Sequence, residues 1–67
     1  MLYNLLNQMQ RKNISMKKLA NVMGVNEKTA YNKTRGKTPV TLNEALAIQK
    51  NIFPEKTLEF LFKNEKE

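Results

Sequence analysis

Both glycines of the chain fall within one stretch, residues 14–36, ISMKKLANVMGVNEKTAYNKTRG, and they limit how it can fold. Gly24 lies where a helix ends in a residue of left-handed conformation, and Gly36 closes a second helix in the same way. Leu19, Met23, Val25 and Ala30 supply the inward positions of the pair. Ala20, four residues before Gly24, is small enough to sit where two steeply crossing helices touch. Ser15 is placed as the N-cap of the first of these helices, with Ile14 and Leu19 as a hydrophobic staple across it. Asn26 repeats the device for the second, with Val25 and Ala30 as the staple. Glu27 stands in the first turn of that helix, where the dipole favours an acid, and Lys33 and Arg35 stand near its end, where it favours cations.

The remaining segments read as helices too. Leu2, Leu5, Leu6 and Met9 recur at helical spacing and predict a helix from Leu2 to Lys12, which Asn13 can end. After a connector at 37–40, Thr41 and Glu44 form a capping-box pattern that opens a fourth helix, with Leu42, Ala45, Leu46, Ile48 and Ile52 as its apolar side. A break at 51–53 precedes Pro54, which suits the first turn of a fifth helix in which Leu58, Leu61 and Phe62 share a face. The expectation is an all-α chain of five helices: one domain over residues 1–63 and a polar tail at 64–67.

Composition narrows the function. Sixty-seven residues leave room for one small core, since a chain of about this length buries only about 60% of its unfolded surface. Cysteine, histidine and aspartate are all absent, which removes thiolate and imidazole metal ligands and the usual general base. Ser15, the one serine, has no residue to activate it. The chain is therefore expected to be no enzyme, to need no cofactor or metal, and to enclose no small-molecule pocket. The opening LYNLLNQMQRK has neither a basic leader nor a long apolar run, so no membrane segment and a cytoplasmic location are expected.

The net charge of +6 is unevenly placed. Residues 1–40 carry eight Lys or Arg against one acid, Glu27, whereas residues 41–67 carry four Lys against five Glu. Such a basic half is the footprint expected of a chain that binds a polyanion, although a solvated lysine surface has the same composition. With the apolar residues of 19–30 turned inward, Glu27, Lys28, Tyr31, Asn32 and Arg35 form one outward stripe. Lysine can donate to guanine O6 and N7, asparagine can pair with adenine, and glutamate can accept from cytosine N4. Tyr31 can meet a thymine methyl group or a phosphate. Phosphate anchors are expected at the free N–H groups near Ser15 and Met16, with Lys17 beside them, and at the segment of Lys37 and Thr38. Lys17 and Lys37 read equally well as ordinary surface lysines.

On these residues the chain resembles the Cro/repressor (XRE) helix-turn-helix family of phage and bacterial transcriptional regulators. ISMKKLANVMGV resembles the family's second helix and turn, and NEKTAYNKTRG its recognition helix. TPVTLNEALAIQKNIF and LEFLF resemble its fourth and fifth helices. The resemblance implies a lambda-repressor-like, five-helix DNA-binding domain whose third helix enters the major groove of double-stranded operator DNA. It places base contacts at Glu27, Lys28 and Asn32, with Asn26 and Tyr31 adjacent, and phosphate contacts at Ser15, Met16, Lys17, Lys33, Arg35, Lys37 and Thr38. Two positions depart from the family pattern. Met16 stands where a polar contact is common. Lys33 stands where the family has an apolar residue, so either its stem covers the core or the helix rolls and changes which of Tyr31 and Thr34 faces the DNA.

A chain this short has to dimerise, if it does, through its own helices. Phe53 and Phe60 are the candidates for a homodimer face at helix five, unless both simply complete the core. Two other classes fit the same composition: a helix-turn-helix protein-interaction module, such as an antitoxin or antirepressor, and a phage recombination accessory or architectural DNA-binding factor.

Overall fold

In the computed structural model, residues 1–63 are described, and the polar tail expected at 64–67 lies outside them. Five α-helices and no strand are found among the described residues: α1 (Tyr3–Lys12), α2 (Met16–Met23), α3 (Glu27–Thr34), α4 (Leu42–Asn51) and α5 (Leu58–Leu61). None is long and apolar enough to cross a membrane. The whole measures 27 × 24 × 22 Å.

The first three helices end in one device. Asn13 (φ 59°), Gly24 (φ 77°) and Gly36 (φ 86°) are all left-handed. After each, the next residue's N–H reaches back across the last turn: Ile14 to the Met9 carbonyl, Val25 to that of Ala20, and Lys37 to that of Asn32. These paired bonds satisfy carbonyls that the helix itself leaves open. The starts are equally well defined. Ser15 Oγ accepts from the Lys18 N–H and Asn26 Oδ1 from the Thr29 N–H, at 3.0 and 2.8 Å. Thr41 and Glu44 close a complete capping box.

α2 is the hub of the fold. It packs against α3 and α4, and α5 closes against α4 and α1. Leu5, Leu19, Ile48, Phe53 and Leu61 are fully buried at the centre. Thr34 is buried with them, and its hydroxyl donates to the Tyr31 carbonyl at 2.8 Å, so no polar atom is left bare. The chain start is tied to the end of α3 by the Leu2 N–H, which donates to the Thr34 carbonyl at 2.9 Å.

Several expectations need correction. Leu42 is 68% exposed rather than part of the apolar side of α4. At 100° per residue it sits roughly 90° from the stripe of Ala45, Ile48 and Ile52, in the first turn, where nothing covers it. Pro54 does not begin α5. Residues 54–56 form a turn, and the helix starts after Thr57, whose hydroxyl caps the Phe60 N–H at 3.1 Å. Phe53 is fully buried and so is not available to a partner subunit. The break after α4 turns its ring inward, where the Lys12 ammonium lies 5.0 Å from the ring centroid.

Candidate functional site

α2 and α3 are joined by the short connection Gly24-Val25-Asn26, and their two N-caps fix where each helix starts. Leu19, Ala20, Met23 and Ala30 are buried between them and the core, which sets the roll of α3. Thr34 is inward and Tyr31 is 45% exposed, so of the two it is Tyr31 that faces out.

The outward stripe is thereby assembled. Glu27, Lys28, Tyr31 and Arg35 are exposed, and Asn32 is half-buried at its edge. Arg35 lies one residue past the last turn of α3, and its guanidinium carbon is 4.6 Å from the Tyr31 ring centroid. Asn26 is exposed beside the stripe, but its carbonyl oxygen is committed to the cap. Lys37 and Thr38 follow the stripe on the exposed connector to α4. At the start of α2, Ser15 and Lys17 are exposed, and the N–H groups of the first helical residues have no acceptor within the helix.

Two of the expected contact residues have side chains engaged within the protein itself. The Lys33 ammonium is turned inward, 2.9 Å from the Pro39 carbonyl and 3.1 Å from a Glu44 carboxylate oxygen, with 12% of the side chain exposed. It spans from α3 to the start of α4, where both of these partners lie. Partial burial pushes the Glu44 carboxyl up, but the Thr41 N–H and the Lys33 ammonium outweigh it and hold the group below its ordinary value. Met16 is half-buried and its side chain packs against the core, and the group expected at a phosphate is its backbone N–H.

Two features have no counterpart in the sequence reading. The Lys12 ammonium donates to the Ile52 carbonyl at 2.7 Å and pairs with Glu55 at 3.2 Å, joining the end of α1 to the end of α4. The presence of Lys12 in the last turn of α1 hints at a carbonyl partner, but nothing local says which. An open groove of about 580 Å³ is lined by Lys33, Thr38, Val40, Leu42, Leu58 and Phe62 among others. It is a cleft on the surface and not an enclosed cavity.

Among the described residues no group of His, Cys, Asp or Glu is assembled that could hold a metal ion. No family model, no curated protein and no solved structure matches the chain.

Proposed function

We propose that this chain is a sequence-specific double-stranded DNA-binding protein, a transcriptional regulator in which α2 and α3 act as a helix-turn-helix and α3 enters the major groove. The observation that carries the reading is the outward face of α3. A helix whose roll is set by its own buried Ala30 against Leu19, Ala20 and Met23 presents Glu27, Lys28 and Arg35 outward, with Asn32 half-buried at the edge. It does so in the half of the chain that holds eight cations against one acid. Groups of this kind at this spacing match base edges and flanking phosphates, and the charge supplies the sequence-independent attraction to the duplex.

Lys28 donates to guanine O6 or N7, Asn32 pairs with adenine, and Glu27 accepts from cytosine N4. Ser15, Lys17 and the first N–H groups of α2 hold one phosphate. Arg35, Lys37 and Thr38 hold another, which fixes the register of α3 on the duplex. The protein acts by occupying an operator and blocking RNA polymerase, in the manner of the Cro/repressor regulators it resembles. Control comes from concentration and from the pairing of two copies through the face around Phe60, which is 39% exposed.

The test is selection from random duplex DNA at about 0.15 M salt, where surface electrostatics are already screened beyond about 8 Å. Enrichment of a defined inverted repeat is the expected result. Enrichment of a single half-site keeps the regulator and removes the dimer. Binding without enrichment that vanishes as salt rises overturns the reading. It points instead to a protein partner or to an architectural DNA-binding role.

A further inference from the structure

Arg35 differs from the other exposed cations around α3 in having a side-chain contact before any ligand arrives. Lys33 is turned inward. Lys17, Lys28 and Lys37 are exposed, and no partner is found for their ammonium groups among the described residues. Arg35 is fixed at both ends. Its backbone is bracketed by the Gly36 N–H donating to the Lys33 carbonyl at 3.2 Å and the Lys37 N–H donating to the Asn32 carbonyl at 3.0 Å. Its tip lies over the Tyr31 ring at 4.6 Å. A guanidinium stacked on an aromatic face gives up one face of its plane and keeps its N–H edge, which matches a phosphate through two parallel bonds. Tyr31, one helical turn earlier and nearly half exposed, is therefore already in contact with another member of the stripe.

We propose that Tyr31 is a positioning residue that reads no base: its ring holds the Arg35 guanidinium in place so that its N–H edge meets a duplex phosphate at the C-terminal end of α3. This rests on the DNA-binding reading above. The ligand is the phosphodiester backbone, so the pair raises affinity for all sequences in register and adds no base preference of its own. Lysine at position 35 is no substitute, because an ammonium is a point charge without a flat face to stack.

The experiment is a double-mutant cycle on the duplex recovered by selection, repeated over a range of salt concentrations. Tyr31→Leu and Arg35→Ala are each expected to weaken binding about tenfold, and the double variant by no more than either alone, because residues that act as one unit do not add. Both singles flatten the slope of log affinity against log salt by about one, the signature of one lost phosphate contact. Tyr31→Phe, which keeps the ring, restores both affinity and slope. In the DNA-free protein, the Arg35 side-chain protons show an upfield ring-current shift in the NMR spectrum that Tyr31→Leu removes.

Losses that multiply to about a hundredfold, with an unchanged slope in Tyr31→Leu, overturn the proposal and make Tyr31 an independent contact. Absence of the ring-current shift overturns it without reference to DNA. A parent chain that selects a duplex but shows additive losses removes only the positioning role. A parent chain that selects no duplex removes the DNA-binding reading and this role together.

Discussion

Three lysines near the proposed DNA face have three different surroundings, and affinity measurements can tell them apart. Lys28 is exposed on the stripe, Lys17 is exposed at the start of α2, and Lys33 is folded inward between Pro39 and Glu44. A base-edge contact is worth about 1–3 kcal/mol and is specific to one base pair, so Lys28→Ala is expected to lose that much on the best duplex and to relax preference at one position. Lys17→Ala weakens all duplexes alike and flattens the salt slope by about one, as a lost phosphate contact should. Lys33→Met keeps the stem and removes the charge. It leaves the salt slope as in the parent and lowers stability by about 1 kcal/mol, since the half-buried Glu44 carboxylate loses its charged partner but keeps the Thr41 N–H. Titrations at several salt concentrations, with a urea melt of each variant, measure all three. A flattened slope for Lys33→Met means that its ammonium leaves Glu44 for the duplex.

The elements are held by devices at their ends more than by their length, since α2 and α3 have eight residues each and helices this short do not persist alone. Gly24 has open space where a Cβ would be added, so Gly24→Ala is expected to cost only the left-handed strain, about 1–2 kcal/mol in a thermal or denaturant melt. Asn13→Gly, at a residue already left-handed, is expected to be neutral or to stabilise. The tie between α3 and α4 also carries a pH dependence. Glu44 has a folded pKa below its ordinary value of 4.5, so its contribution is present above that pH and is lost as pH falls through the lower, folded value. Glu44→Gln is accordingly less stable at neutral pH, and its stability falls less steeply than the parent's below about pH 4.5. These ends are the parts that were legible in the sequence, because a cap or a left-handed terminus is decided by one or two neighbouring residues. Ser15, Asn26 and Thr41 cap as their spacing predicts, and so does the glycine at 24. The start of α5 was not legible. Pro54 and Thr57 both satisfy the local rules, and the choice is made by tertiary contacts such as the Gln49 side chain donating to the Lys56 carbonyl at 2.9 Å. The inward turn of Lys33 and the reach of Lys12 to Ile52 escape a sequence reading for the same reason: a sequence displays a charge but not the carbonyl it will find. The stripe on α3 was legible because burial of Ala30 and Thr34 on one side leaves the other side to Glu27, Lys28 and Tyr31.

At the scale of the molecule the charge divides the chain, with a basic first 40 residues and a remainder in which five acids meet four lysines. If the chain binds a duplex as proposed, the basic part that holds α2 and α3 is the part expected to be drawn to it. Size then constrains pairing. Half-sites read by a symmetric dimer lie about 34 Å apart, whereas the domain is at most 27 Å across. In the proposed dimer, two copies with reading helices so far apart are expected to share only a small contact, made by side chains that project from their surfaces. Phe60 is such a side chain: its ring is partly exposed beneath the Lys56 ammonium, 5.6 Å from the centroid. Its backbone is occupied separately, the N–H by Thr57 and the carbonyl by Asn4. A change of side chain at position 60 thus leaves the cap of α5 and the bond to α1 in place. Phe60→Lys is expected to abolish cooperative binding to an inverted repeat while single half-site affinity and the melting temperature stay close to the parent's, because a charge facing its own copy across a two-fold axis repels. Sedimentation of the free protein and titration of whole and half operators measure this. Cooperativity that survives Phe60→Lys moves the pairing edge away from α5, towards Leu42, which is more exposed.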